Sequence, residues 1–373
     1  MSSPNKPIPL DIAIIGGGSA GMALATKLDN LSATVFEPKT AAERDCSWAL
    51  WAQPQQLEEL SPAIRGSWDQ WRLIDHSGEI IHQSNQYRYT SLSSGQYLQH
   101  CEAGLKDSVS LVRAPIESIV SQGSGGQFSA DGQTYSAKTI YDSRPPILDD
   151  NSLRQHFVGW EISTKEPIEH ADIATLMDFR VDQSRGLHFI YVLPYSDRHL
   201  LVESTMISTQ LEDKGWYRKA ISQWLTERNI QIQSKLREEY GVIPMVPVQP
   251  QNADIACIGA AGGAVRLSSG YGLSTIQAQM AVLAESIAAG EYRVPMPFSK
   301  RLVFMDKVFN RALNTQSDHG VELFMATAKT LNADQFARFM LGTAGSMEWA
   351  KVVLAMPKWP FIKSALKQFL SHD

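Results

Sequence analysis

The sequence predicts an α/β protein with a parallel-sheet domain, a second domain rich in β-strands and a helical C-terminal region. Three observations favour this class. An apolar strand at residues 11–15 runs into a glycine turn and a helix, strand-like alternation dominates residues 151–250, and the chain beyond about residue 291 has the pattern of helices. The expected boundaries are residues 8–45, 92–150 and 251–290 for the first domain, 46–91 and 151–250 for the second, and 291–373 for the helical region.

The first motif is a G-x-G-x-x-G turn between the strand and the helix. Gly16 allows the tight turn, Gly18 lets the backbone approach a pyrophosphate, and Gly21, which follows Ala20, lets the helix pack close on the strand. Glu37 ends the next strand about 20 residues further on, where an acid accepts hydrogen bonds from ribose hydroxyls. A purely structural glycine turn would not need that acid. The pattern predicts a Rossmann-like fold, and its place near the start of the chain favours FAD and the glutathione-reductase type.

A second glycine-rich segment follows an apolar strand near residue 258. It contains Gly259 and Gly263, and it continues to Gly270 and Tyr271, just before a long helix. An FAD-binding fold requires glycine-rich segments at two strand ends, so we assign these four residues to the cofactor site. Many FAD enzymes have an aspartate after the first glycine, which contacts the ribityl chain. Here that position is Ala260, so we expect backbone N–H groups to supply the contact.

Asp142 and Arg144 end a strand that we expect beside the dinucleotide-binding strand. Because open α/β sheets bind their ligands at the carboxyl ends of the strands, Asp142 is a candidate for the cofactor site. The alternative is a turn that only caps the strand.

Composition excludes several classes of protein. The 373 residues are 43% hydrophobic and 20% charged, as in a globular protein of two or three domains, and the net charge of −5 gives no attraction to nucleic acid. Neither the three separated cysteines nor the histidines have the spacing of metal ligands. No apolar run reaches the roughly 18 residues that a transmembrane helix needs. We therefore expect a cytoplasmic protein without a metal or a signal peptide.

A tryptophan-rich stretch follows the first domain's opening segment. Trp48, Trp51, Trp68 and Trp71 fall within 24 residues of one another. Such a cluster belongs either to the core between domains or to the wall of an apolar, electron-rich substrate cavity. The sequence leaves both interpretations open.

Several short segments in the middle of the chain carry a more specific signal. They are residues 141–146, 155–161, 175–180, 189–194, 201–205, 239–245 and 269–272. Taken in this order, with the glycine turn, they resemble the lycopene cyclase family of carotenoid biosynthesis over residues 10–280, about three quarters of the chain.

The resemblance implies an unusual reaction for a flavoprotein. Members close a ring at the end of a linear carotenoid or a related polyene by adding and then losing a proton, with no net oxidation or reduction. It implies that FAD is needed in its reduced form and that NAD(P)H keeps it reduced. The rival interpretation is a monooxygenase or isoprenoid reductase of the same fold, and a third is a non-catalytic FAD-binding homologue.

Glu203 is the leading catalytic candidate. It stands in the family's glutamate-centred motif, here Leu201-Val202-Glu203-Ser204-Thr205, and it interrupts an apolar strand. Burial in such a strand raises a carboxyl pKa and makes the group a proton donor near neutral pH. The alternative is that strand alternation points Glu203 to water.

Four further residues lie in matching segments. Asp178 and Arg180 are two positions apart on one strand and therefore share a face, either as a surface ion pair or near the flavin or acid. Trp160 and Tyr191 either pack in the core or offer π faces to a carbocation.

The last stretch, residues 350–370, mixes large apolar side chains with lysines. We expect it to touch an anionic membrane surface, on the inner face of the membrane, since the expected substrate is insoluble in water. The alternative is an ordinary helix packed on the domain.

Overall fold

The computed structural model describes residues 6–29, 31–315 and 319–356. The strands are β1 Ile8–Ile15, β2 Ala33–Phe36, β3 Ser47–Ala52, β4 Ile64–Trp68, β5 Gln70–Asp75, β6 Gly78–Gln83, β7 Arg88–Ser93, β8 Val109–Val112, β9 Ile116–Gln122, β10 Gly125–Ala130, β11 Gln133–Asp142, β12 Arg154–Thr164, β13 Ile173–Asp178, β14 Leu187–Ser196, β15 His199–Ser208, β16 Ile232–Pro244 and β17 Ala256–Cys257. The helices are α1 Ser19–Ala25, α2 Pro54–Leu60, α3 Ser94–Ala103, α4 Lys214–Glu227, α5 Leu273–Ala288, α6 Lys300–Thr315, α7 Gly320–Thr330, α8 Ala333–Leu341 and α9 Ser346–Ala355.

The first sheet is the dinucleotide-binding type of sheet that the sequence predicts. β1 lies between β2 and β11 and is parallel to both, while β8 extends the sheet beyond β2 and β17 pairs with the end of β11. β9 and β10 form an antiparallel extension on β11. Apolar residues of β1 such as Ile12 and Ile14 are fully buried against α1 and α5. The two helices that carry the glycine-rich segments at their N-termini therefore pack side by side.

The second sheet has seven strands in the order β16-β12-β15-β14-β13-β5-β6. Alternation along its strands divides the sheet into two buried faces. Val158 and Val202 point to one face, where α4 packs with Tyr217 and Trp224. Leu201 and its neighbours point to the other face, where the third sheet, β3-β7-β4, and the C-terminal helices cover them. The second face is the one that meets the first domain.

Three of the clustered tryptophans lie in that second core. Trp51 and Trp71 are fully buried and Trp68 nearly so, and the Trp51 ring meets the Trp71 ring edge-on. They are core residues at the junction of the sheets. Trp51 also contacts residues of the candidate site described below, so both sequence interpretations describe part of its surroundings.

The structure confirms the predicted α/β class with its strand-rich second part and helical C-terminal part. It differs in two places. The pattern of residues 110–120 is that of one strand, but the structure has two strands there, β8 and β9, and most of β16 has no strand-like pattern in the sequence. β16 is an edge strand rich in charged residues, so it lacks the apolar alternation that predicts a strand.

The predicted membrane stretch falls only partly within the structure. Residues 350–356 belong to α9 and its end, and residues 357–370 lie outside the described part of the chain. α9 exposes Met347, Val353 and Leu354. Among the helices of the described residues, none combines the length and the apolar character needed to cross a bilayer. Membrane contact stays a prediction.

Candidate functional site

The glycine turn after β1 has the geometry of a phosphate-binding turn. Gly16 has a φ of +91°, which favours glycine, and a Cβ on Gly21 would clash with the carbonyl oxygen of Gly16. Gly18 differs from both. It has ordinary extended backbone angles, and a Cβ added to it meets no protein atom within 4 Å. The space in front of Gly18 is therefore open, as required for a ligand that approaches the backbone at the N-terminus of α1.

Glu37 lies over this turn. Its carboxylate accepts hydrogen bonds from the N–H of Gly17 at 3.0 Å and from the N–H of Lys39 at 3.0 Å. Arg44 lies beside it, with its guanidinium 3.5 Å from the Glu37 carboxylate and hydrogen-bonded to the Gly17 carbonyl. The sequence analysis missed Arg44, because nothing in its local pattern links it to a turn 27 residues earlier.

The second glycine-rich segment reaches the first one. A Cβ on Gly259, whose φ is +65°, would lie 2.6 Å from the Cβ of Ala20 at the start of α1. The Gly263 N–H donates to the Ala260 carbonyl at 3.1 Å, so it is already used within its own turn. The helix that follows, α5, has no side-chain cap on its first N–H groups. Two uncapped helix N-termini, those of α1 and α5, thus lie at the same edge of the sheet.

Two polar atoms at this edge bear on ligand binding. The Ser274 hydroxyl, in the first turn of α5, is buried without a hydrogen-bond partner among the described residues, and it borders a small cavity beside Leu50 and Tyr271. Asp142 is buried, and its carboxylate binds the Arg144 guanidinium at 2.6 and 3.0 Å. Asp142 and Arg144 therefore satisfy each other at the end of β11. The Ser274 hydroxyl, in contrast, can still form a hydrogen bond to a ligand.

A row of four residues crosses the second sheet on the face that meets the first domain. Tyr191 on β14 pairs in register with Glu203 on β15, Glu203 pairs with Gly159 on β12, and Gly159 pairs with Glu239 on β16. Residues paired in register point to the same face. Because Gly159 has no side chain, the two glutamate side chains approach each other across it, and their Cγ atoms lie 2.8 Å and 3.2 Å from the position that a Cβ on Gly159 would take. The sequence analysis named Glu203 but missed Glu239.

Glu203 is buried, with 8% of its surface exposed. Burial raises its pKa well above the ordinary value for a glutamate, and the charge and hydrogen bond of Glu239 raise that pKa further, while Arg237 opposes them. The alternative in which strand alternation points Glu203 to water is therefore wrong. Burial and the neighbouring Glu239 therefore favour the protonated form of Glu203 more than in an exposed glutamate.

Glu239 occupies a more polar position than Glu203. Its Oε2 accepts a hydrogen bond from the Ser47 N–H at 3.0 Å and lies 3.2 Å from the Arg237 guanidinium. Arg237 also binds Glu161 at 3.2 Å and Asp45 at 2.7 Å. Asp45 and Ser47 directly follow the segment that carries Glu37 and Arg44. The carboxyl pair therefore lies at the junction between the nucleotide-binding sheet and the second sheet.

Aromatic side chains line the other side of Glu203. The hydroxyl of Tyr191 lies 2.8 Å from that of Tyr89, which lies 2.9 Å from that of Tyr271. The Trp51 ring packs on Tyr89 and Tyr271, with centroids 4.8 Å apart in each pair. Burial raises the pKa of all three tyrosines, so they are neutral hydrogen-bonding groups. Tyr271 links this cluster to the second glycine-rich segment.

A largely apolar cavity of about 280 Å³ lies among α6, α7, α8 and α9. Phe324, Met340 and Val352 line it, and so does Phe336, whose ring meets Trp51 at 5.9 Å. The cavity thus lies on the same side of the second sheet as Glu203, behind a layer formed by Phe336 and Trp51.

The structure does not bring Asp178, Arg180 or Trp160 to this site. Asp178 is fully buried on the opposite face, where Arg180, Arg228 and the Trp224 indole N–H bind its carboxylate. Burial alone would raise the Asp178 pKa, but these hydrogen bonds and charges outweigh it and the pKa is lowered. Trp160 follows Gly159 on β12, so its side chain points to the opposite face of the sheet from Glu203. Its indole N–H donates a hydrogen bond to the Glu238 carboxylate at 2.9 Å.

Among the described residues, no three histidine, cysteine, aspartate or glutamate side chains are placed to hold a metal ion. The candidate site is built from a carboxyl pair, an arginine and aromatic rings.

Comparison with known sequences confirms the resemblance. The family model described as lycopene cyclase protein matches residues 11–366. The chain is 22% identical to the chloroplast lycopene beta cyclase of Solanum lycopersicum over 315 residues, which are 77% of this chain and 62% of that enzyme. It is 31% identical to the lycopene beta-cyclase of Pantoea ananas over 153 residues, 38% of this chain and 39% of that enzyme. The lycopene beta-cyclase of Pseudescherichia vulneris matches at 22% over 78% of both chains. This chain therefore spans just under two thirds of the length of the tomato relative.

Solved structures establish the fold. A geranylgeranyl bacteriochlorophyll reductase-like protein from Thermoplasma acidophilum superposes with a TM-score of 0.64 at 14% identity, covering 97% of this chain and all of that one. A flavin-dependent brominase superposes with a TM-score of 0.62 at 13% identity, covering 98% and 100% of the two chains. These likenesses confirm the Rossmann-like α/β fold of flavoproteins and carry no further assignment. With the family model matching nearly the whole sequence, the chain belongs to the lycopene cyclase family.

Proposed function

We propose that this protein is an FAD-dependent cyclase that closes an ionone-type ring at the end of a linear carotenoid, with Glu203 as the proton donor. The observation that carries the proposal is the buried Glu203 carboxyl, whose pKa is raised by burial and by Glu239 and which faces an aromatic cluster at the junction of the two sheets. A redox flavoenzyme has no need of a buried strong proton donor at this point.

The residues present fit FAD. The glycine turn suits a diphosphate: the space at Gly18 is open, Gly16 and Gly21 allow the tight turn, and the N-terminus of α1 has no side-chain cap. Glu37 is placed to accept hydrogen bonds from the ribose hydroxyls. The second glycine-rich segment lies against α1, with Gly259 next to Ala20, and would contact the part of FAD beyond the diphosphate. The unpartnered Ser274 hydroxyl and the first N–H groups of α5 would bind polar atoms of the flavin ring. Reduced FAD, kept reduced by NAD(P)H, supplies electron density that stabilises a cation nearby.

The proton chemistry belongs to Glu203. Its O–H protonates the terminal double bond of the polyene, leaving a tertiary carbocation. The neighbouring double bond supplies the electron pair of the new carbon–carbon bond and closes the ring. Loss of a proton from the ring then forms the ring double bond. One proton enters and one leaves, so the product has the mass of the substrate.

Aromatic rings hold the cation before that last step. Tyr191, Tyr271 and Trp51 present π faces in a buried region, and such faces stabilise a cation by about 1–2 kcal/mol each when water is excluded. The three tyrosine hydroxyls form a chain of two hydrogen bonds, Tyr191 with Tyr89 and Tyr89 with Tyr271, which fixes the positions of these rings.

The unreacted part of the polyene would lie in the apolar cavity among α6–α9. Its walls are hydrophobic, it adjoins Trp51 through Phe336, and Val353 at its edge is half exposed on α9. A long hydrocarbon chain that enters beside α9 therefore points its end towards Glu203.

The test is expression in a bacterial host that accumulates lycopene, comparing the wild type with Glu203→Gln. The amide keeps the shape of the side chain but supplies no proton, so we expect a folded, flavin-loaded protein with ring formation reduced about 10²–10⁴-fold or more. The wild type should yield a cyclic product of unchanged mass. Products with added oxygen or hydrogen would instead identify a monooxygenase or isoprenoid reductase, and unchanged cyclisation by Glu203→Gln would remove this residue from the mechanism.

A further inference from the structure

The contact between Glu203 and Glu239 depends on one missing side chain. Adjacent strands lie about 4.8 Å apart, so the two residues, on β15 and β16, are separated by roughly 10 Å of backbone. β12 runs between them and places Gly159 in the gap. A Cβ there would lie 2.8 Å from the Cγ of Glu203 and 3.2 Å from the Cγ of Glu239. Any other residue would separate the two carboxyls.

The surroundings of the pair are unequal. Glu239 has the Ser47 N–H and the Arg237 guanidinium on its Oε2, whereas its Oε1 is buried without a hydrogen-bond partner among the described residues. Two carboxylates in contact repel, so such a pair holds one proton between them. The positive charge beside Glu239 favours the negative charge there. In such a pair the proton favours the member without a neighbouring cation, which here is Glu203.

We infer that Glu239 is a positioning residue that keeps Glu203 loaded with its proton and prepares the pair to take the proton back. This inference rests on the proposed cyclisation. When Glu203 gives its proton to the terminal alkene carbon, the pair becomes a dianion facing the cation, with Arg237 offsetting one charge. After the ring bond forms, Glu203 removes a proton from the ring, the C–H electron pair becomes the double bond, and the pair returns to its one-proton state.

The charged and titratable groups around the pair set the direction of the pH dependence. Arg237 comes from β16, Glu161 from β12, Tyr191 and Tyr195 from β14, Cys46 from the segment before β3, and Tyr271 from the loop before α5. The tyrosine and Cys46 pKa values are raised, so these groups stay neutral when Glu203 titrates. Glu239 contributes the negative charge that opposes ionisation of Glu203. Replacing Glu239 with glutamine removes that charge, so Glu203 should ionise at lower pH.

The experiment is a pH titration of the flavin-loaded protein by difference infrared spectroscopy, which follows the C=O stretch of a protonated carboxyl group. The band absent from Glu203→Gln is assigned to Glu203. In Glu239→Gln its midpoint should fall by at least one pH unit, a tenfold change in the ionisation constant, and in Gly159→Ala it should fall in the same direction because the carboxyls are forced apart. Glu161→Gln is the matched control, since it also removes a carboxylate from Arg237 but does not touch Glu203, and its midpoint should stay near that of the wild type.

Cyclisation rates measured over the same pH range give the second readout. In Glu239→Gln, the pH above which the rate falls should decrease together with the infrared midpoint, so activity should recover at lower pH. If Glu239 had only a structural role, its replacement would lower the rate equally at every pH. An unmoved midpoint in Glu239→Gln, or an equal shift in Glu161→Gln, overturns the inference. If Glu239→Gln does not fold, Gly159→Ala decides by the same criterion. The infrared titration needs no carotenoid, so failure of the proposed cyclase activity alone leaves its outcome readable.

Discussion

A glutamate buried in a strand destabilises the protein when it is ionised, and this cost is what makes Glu203 useful. The carboxyl keeps its proton because burial and Glu239 both oppose its ionisation. A group whose pKa is raised on folding stabilises the native state fully only below its unfolded value, and that stability is lost as pH rises towards the folded value. The site therefore gives up some stability as pH rises in exchange for a buried carboxyl that holds its proton beside aromatic side chains.

At the glycine turn, a single methyl group should separate ligand binding from folding. Gly18→Ala adds a Cβ that meets no protein atom, so the fold should be unaffected while the methyl group blocks the approach of the pyrophosphate. We expect flavin affinity to fall at least tenfold with an unchanged melting temperature of the apoprotein. Flavin absorbance per chain and thermal unfolding measure the two effects.

Gly21→Ala is the matched comparison for that variant. Its methyl group would collide with the Gly16 carbonyl, so it should lower the melting temperature as well as flavin content. Full flavin occupancy in Gly18→Ala would place the cofactor elsewhere.

The elements of the second sheet show what the sequence can and cannot predict. Glu203 is found from the glutamate-centred motif of the family resemblance, since an acid inside an apolar strand could also face water, and the glycine turn is found from a motif with fixed spacing. Glu239 and Gly159 both lie in segments that carry the family resemblance, but their contact depends on the strand order β15-β12-β16. That order joins residues far apart in the chain, and local pattern does not encode it. β16 was missed for a related reason, since its charged residues satisfy partners on other strands rather than water.

The same strand geometry makes Asp178 a structural residue, which a second variant tests. Asp178→Ala leaves Arg228 and the Trp224 indole without their buried acceptor and detaches α4 from β13, so unfolding should become easier by about 3–5 kcal/mol. Arg185→Ala breaks the exposed pair with Glu212 and should cost less than about 1 kcal/mol. Urea denaturation measures both. The Glu203 infrared midpoint should not change in Asp178→Ala, and a shift of that midpoint would mean that Asp178 acts on the site through the sheet.

At the scale of the whole molecule, the candidate site exists only where three parts of the chain meet. The first sheet carries the glycine turns, the second sheet contributes the carboxyl pair with Ser47 of β3 beside it, and the C-terminal helices contribute the apolar cavity behind Trp51. The sequence predicts each part separately. Their meeting is a property of tertiary structure, and it places the Glu203–Glu239 pair between the edge that carries the glycine turns and the apolar cavity.

The most direct test of the central claim is the isotope content of the product formed in D₂O. The flavin-loaded, reduced protein is incubated with an acyclic carotenoid in D₂O, and the purified pigment is analysed by mass spectrometry. Because Glu203 exchanges its proton with solvent between turnovers, the account predicts one deuterium atom per ring and no other change of mass. A cyclic product without deuterium, or a product that has gained oxygen or a pair of hydrogen atoms, would contradict proton-initiated ring closure.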